Sequence, residues 1–68
     1  MNIERISRRI KGIRTECGLT QIQMAKLMNI TPKTYNFKEN NKYEFTISEI
    51  IKMSEIFNCK VSDIFLEK

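Results

Sequence analysis

The dipeptide Thr31-Pro32 restricts the fold of this chain more than any other feature. Proline at the first position of a helix loses nothing, because that N–H has no helical partner, and Thr31 ahead of it is a good N-cap. The same proline disfavours helical geometry at Thr31, so a helix arriving from the N-terminal side must stop short of it. One does arrive. Met24, Ala25, Leu27 and Met28 place apolar atoms at helical spacing, and Thr20 caps the segment that begins at Gln21. Only Asn29, Ile30 and Thr31 remain to join the two helices, which forces a sharp corner. The second helix, residues 32–40, carries Lys33, Thr34, Asn36, Phe37 and Asn40, a set rich in side chains that reach outward to hydrogen-bond.

The flanks read as further helices. Ile3, Ile6, Ile10 and Ile13 recur at helical intervals and define an amphipathic first helix over residues 2–16, with Arg5, Arg8, Arg9, Lys11 and Arg14 on its other faces. Gly12 weakens that helix by about 1 kcal/mol relative to alanine. Gly18 suits a left-handed C-cap, with Leu19 packing back behind it. Residues 40–45 form a loop, in which Asn41 is the expected helix terminator. Thr46 and Glu49 match a capping box opening a fourth helix to Asn58, with Ile47, Ile50, Ile51, Ser54 and Phe57 along one face. Val61, Ile64 and Phe65 give a short fifth helix, with Asp63 favourable near its N-terminus. No strand, repeat or linker is expected. The fold class is all-α, a compact bundle of five short helices in a single domain over residues 1–68.

Composition narrows the function. Sixty-eight residues lie near the lower limit for a chain that must bury its own core. Such a core supplies about 3–5 kcal/mol, so a partner subunit would help. A net charge of +4 and a pI of 9.3 point toward a polyanionic partner without specifying one. Cys17 and Cys59 fall at apolar positions of the pattern and read as small buried hydrophobes in a reducing cytosol. Two cysteines without histidine are too few for a zinc site. No apolar run approaches the roughly 20 residues needed to span a bilayer, and the charge-interleaved N-terminus is no signal peptide. The chain has no histidine, no glycine-rich phosphate loop and no nucleophile–base pair at sensible spacing, which argues against an enzyme. The expectation is a soluble cytoplasmic protein with no cofactor, metal, membrane contact or small-molecule substrate.

The segments GLTQ (Gly18–Gln21), Ala25, Lys38-Glu39-Asn40 and FNCKVSDIF (Phe57–Phe65) resemble the Cro and phage-repressor family of helix-turn-helix regulators, the XRE type. The likeness runs from Ile6 to Phe65 and implies a lambda-repressor-like DNA-binding domain. Its motif would be residues 21–40, with 32–40 as the recognition helix in the major groove. Met24, Met28, Ile30 and Tyr35 fill four of the family's five apolar motif positions. Lys38 departs at the fifth; its stem is expected on the core and its ammonium on a phosphate. Asn29 and Asn41 replace common glycines, and asparagine tolerates the left-handed conformation. Tyr35 is expected in the core with its hydroxyl at the surface.

By the same resemblance, Gln21 contacts the DNA backbone, and Thr31, Pro32, Lys33, Thr34, Asn36, Phe37 and Asn40 face DNA. Lys33 can donate to guanine O6 and N7, and a Phe37 ring edge can meet a thymine methyl. Asn36 can read adenine or hold a phosphate, while Asn40 and Lys42 suit the backbone. Arg14 and Glu39 match family positions that form an ion pair between the first helix and the recognition helix. The implied protein is a Cro-like or repressor-like homodimer on a palindromic double-stranded operator, with half-sites about 34 Å apart. The exposed parts of Val61, Ile64, Phe65 and Leu66 are its expected dimer surface. An alternative is a protein-interaction module of the same fold, antitoxin-like and with little DNA binding. Lys38, Glu39 and Glu44 near the DNA-facing helix keep that alternative open.

Overall fold

A computed structural model describes residues 3–65, except for the side chain of Ile3. Asn2 and the Ile3 side chain of the expected first helix, and Leu66 of the expected dimer surface, lie outside the described residues. Among the described residues the architecture is all-helical: α1 (Ile3–Glu16), α2 (Gln21–Met28), α3 (Pro32–Glu39), α4 (Ile47–Phe57) and α5 (Val61–Phe65).

Local chemistry sets these boundaries. α1 ends where Gly18 takes a positive φ of 73°, and the Leu19 N–H returns to the Arg14 carbonyl at 3.1 Å. Thr20 and Gln23 form a reciprocal capping box at the start of α2, with Thr20 Oγ1 accepting from the Gln23 N–H at 3.1 Å and Gln23 Oε1 accepting from the Thr20 N–H at 2.8 Å. Thr31 Oγ1 accepts from the Thr34 N–H and caps α3, with Pro32 at its first position. The corner itself depends on Asn29, whose φ of 60° and ψ of 41° turn the chain out of α2. Its N–H bonds the Lys26 carbonyl at 3.1 Å, and Ile30 N–H bonds the Ala25 carbonyl at 3.0 Å. Asn29→Ala is therefore expected to cost about 1 kcal/mol, since alanine has no polar side chain to ease the left-handed conformation. That loss lowers the melting temperature by about 4–8 °C in a domain of this size, whereas Asn29→Gly does not lower it. A thermal melt followed by circular dichroism checks both.

All five helices contribute to the core: Ile6, Ile10 and Ile13 from α1; Met24, Ala25 and Met28 from α2; Tyr35 from α3; Ile50, Met53 and Phe57 from α4; Ile64 from α5. Sequence expectations about burial are corrected for α4 and for Cys17. Ile47 and Ile51 are 63% and 46% exposed, and α4 instead buries Ile50, Met53, Ser54 and Phe57. Those four lie within a narrow angular range on a helix, and Ile47 and Ile51 fall to one side of it. On α2, Leu27 is 47% exposed. Cys17 is exposed, because it falls one residue past α1, where the chain turns toward Gly18. Cys59 is partly buried against the core.

Polar ties reinforce the packing. Arg9 Nε donates to the Asp63 carbonyl at 3.0 Å, joining α1 to α5. The buried Ser7 hydroxyl donates to the Lys38 carbonyl at 3.3 Å, joining α1 to the end of α3. The expected dimer surface shrinks, since Ile64 is only 1% exposed and Val61 and Phe65 are partly buried against the core. A five-residue helix closing a small bundle must give its central apolar side chain to the core.

Candidate nucleic-acid interface

The inner face of α3 is fastened by a network centred on Glu39. Arg14 meets this carboxylate with two parallel bonds, Nε to Oε2 at 2.9 Å and Nη2 to Oε1 at 3.0 Å. Its remaining terminal nitrogen, Nη1, donates to the Leu19 carbonyl at 2.6 Å. The Tyr35 hydroxyl, one turn before Glu39, donates to Oε2 at 2.6 Å. Gln21 Nε2, from the first turn of α2, donates to Oε1 at 3.1 Å. Side-chain exposure is 11% for Arg14 and 1% for Glu39, so this pair is buried as well as bidentate. Among the described residues no buried side-chain nitrogen or oxygen lacks a partner, as a buried network requires.

Electrostatics follow the geometry. Burial pushes the Glu39 carboxyl upward, but hydrogen bonds from Arg14, Tyr35 and Gln21 outweigh it and hold the carboxyl below its ordinary value. The hydrogen bond to Glu39 raises the Arg14 guanidinium above its ordinary value. Tyr35 is raised by burial first and by its hydrogen bond to the Glu39 carboxylate second. Its hydroxyl is thus interior, where the sequence placed it at the surface. It donates to Glu39 one turn along the same helix face.

The network extends outward through two amides. Asn36 Nδ2 donates to Gln21 Oε1 at 2.8 Å, so Glu39, Gln21 and Asn36 form a ladder across the corner. Side-chain phosphate contact by Gln21, or adenine reading by Asn36, has to share groups already used in this ladder. The amide ladder had no periodic signal; it arises because the corner sets the first turn of α2 beside the middle of α3.

The opposite side of α3 turns to solvent. Thr31, Pro32, Lys33, Asn40 and Lys42 are exposed, and Thr34, Asn36 and Phe37 are partly buried. Thr31 and Thr34 hydroxyls bond each other at 2.9 Å. Lys33 Nζ lies 5.7 Å from the centroid of the Phe37 ring, one turn along the helix. Lys38 departs from its sequence expectation. Its ammonium bonds Glu49 Oε1 at 2.9 Å and the Glu44 carbonyl at 3.2 Å, so it ties α3 to the start of α4 instead of reaching outward. Burial pushes the Glu49 carboxyl up, yet the Thr46 N–H and Lys38 together hold it below the ordinary range. The side chain pairs inward because 38 lies between the buried face and the outer face of α3, opposite the α4 cap. Tyr43, absent from the sequence prediction, is 56% exposed and packs its ring on Phe37.

Comparison with known proteins agrees with the helix-turn-helix arrangement. The sequence model of the helix-turn-helix family matches residues 10–64. An uncharacterized HTH-type transcriptional regulator of Archaeoglobus fulgidus is 34% identical over 58 residues, covering 85% of this chain and 82% of the relative. A second such regulator from the same organism is 31% identical over 58 residues, covering 85% of this chain and 83% of its own length. No solved structure matches the chain at a significant level. No described helix is long and apolar enough to cross a membrane. With the corner, its flanking helices and these relatives in agreement, the chain belongs to the helix-turn-helix family of DNA-binding transcriptional regulators, XRE type.

Proposed function

We propose that the protein is a sequence-specific regulator that lays α3 in the major groove of an operator and acts as a homodimer. One observation carries this reading: α3 is bolted down on one side by Arg14, Gln21, Tyr35 and Glu39, while Lys33 on its other side and Pro32 at its first position are exposed. A helix held rigidly by one face and open to solvent on the other suits a groove. Lys33, Asn36 and Phe37 supply base contacts; Gln21, Thr31, Thr34, Asn40 and Lys42 serve the sugar–phosphate register.

Dimerisation is supported by size. The backbone of the described residues extends 27 Å along its longest axis, shorter than the helical turn of about 34 Å that separates major-groove half-sites on one face of the duplex. One copy therefore covers one half-site. Ile47 and Ile51 are the exposed apolar residues of α4 available to a second copy. The test is a gel shift on duplexes selected from a random pool, repeated across salt. We expect a palindromic consensus and log K falling linearly with log[salt]. Retention on DNA or heparin that ignores salt would remove the regulator reading and leave a protein-interaction module.

A further inference from the structure

We propose that Lys33, Phe37 and Tyr43 form a preassembled reader of the thymine 5-methyl group, in which Tyr43 is a positioning residue for the Phe37 ring. The proposal rests on the reading of α3 as the DNA-facing helix and names the chemistry that its outer face selects.

Phe37 is partly buried, yet it is not packed against the hydrophobic core. Its position is about 200° around the helix from Tyr35, which is fully buried. The cover over Phe37 comes from the surface. Tyr43 lies with its ring centroid 5.8 Å away and its plane tilted by 58°, inside the favoured range of aromatic pairs. Lys33 Nζ lies 5.7 Å from the same ring centroid. The loop that delivers Tyr43 is itself fixed. Asn41 takes a positive φ of 66°, its N–H bonds the Lys38 carbonyl at 3.2 Å, and Lys42 N–H bonds the Phe37 carbonyl at 2.8 Å. Phe37 and Tyr43 are thus tied through backbone and rings together, before any duplex arrives.

Two aromatic rings tilted against each other outside the core, on the outer side of a groove-seeking helix, keep apolar surface in water. In a major groove the matching apolar feature is the thymine C5-methyl, the one methyl group that the unmodified bases present there. A ring held in place loses little freedom on contact, so its small contact area is not offset by ordering. The Lys33 ammonium beside the ring can then donate to guanine on a neighbouring base step, since 5.7 Å spans between one and two steps of about 3.4 Å.

The test uses the full chain and the duplex it selects from a random pool, with each thymine replaced in turn by deoxyuridine. Uracil differs from thymine only in lacking the methyl. One position per half-site should lose affinity by about fourfold, the worth of one buried methyl-sized group. Phe37→Ala and Phe37→Leu should reduce that discrimination, Tyr43→Ala should shrink it toward unity with the salt slope and the thermal melt preserved, and Tyr43→Phe should retain it. A role confined to pinning the loop would leave the thymine–uracil ratio unmoved. If uracil is tolerated at every position while sequence-specific binding persists, the reader is wrong and the regulator reading stands. If full discrimination survives in Tyr43→Ala, the positioning role is wrong. If no duplex is selected at all, both readings fail together.

Discussion

Glu39→Ala is expected to remove most of the stability of this domain. The substitution strands the Arg14 guanidinium at 11% side-chain exposure and leaves the Tyr35 hydroxyl, in a fully buried residue, without its acceptor. Breaking a buried pair by deleting one partner costs about 3–5 kcal/mol, because the remaining charge has no compensation. A chain of this size has only roughly 3–10 kcal/mol in total. Urea denaturation should show the midpoint collapsing toward zero denaturant, while Glu39→Gln, which keeps an acceptor oxygen for Tyr35, loses less. The same carboxylate sets an acid limit. Its folded pKa lies below the ordinary value of 4.5, so its contribution is present above that value and is lost as pH falls through the lower folded pKa. Glu49 is displaced in the same direction and adds to the effect. Glu39→Gln should flatten the wild-type decline in stability below about pH 4.5; an unchanged acid profile would show that other groups govern it.

Replacing the two exposed lysines of the proposed interface should separate their roles. Lys42→Ala is expected to weaken binding on all sequences alike and to lower the salt slope by about 1, as removal of one phosphate contact does. Lys33→Ala should instead cost about 1–3 kcal/mol on the selected operator and relax preference at one base pair, with smaller loss on random DNA. Neither side chain belongs to the core, and both are exposed, so the melts should match wild type. Gel shifts on operator and scrambled duplexes across salt check both variants. Equal losses on both DNAs for Lys33→Ala would move that residue to the backbone.

How much of this was legible follows from the range of the interactions involved. Caps and stops act over three or four residues, so Thr20, Thr31-Pro32, Thr46 and Gly18 announced the helix ends directly, and Asn41 showed its left-handed conformation in advance. The isoleucines Ile6, Ile10 and Ile13 likewise exposed their face through spacing alone. Periodicity was less decisive in α4, where Ile47 and Ile51 are apolar but fall beside the packed stripe and Met53 takes the buried place.

Helix order, the three-residue corner and the family pattern could therefore be read along the chain, because each is written in near-neighbour chemistry. Where the polar groups finish was settled by packing in three dimensions. It took Lys38 to Glu49, sent the Tyr35 hydroxyl inward to Glu39, tied Asn36 to Gln21 and set Tyr43 against Phe37. Most of those partners come from different helices or from the loop after α3. Their pairing depends on how the corner brings the elements together in space, a quantity that no local window of residues contains.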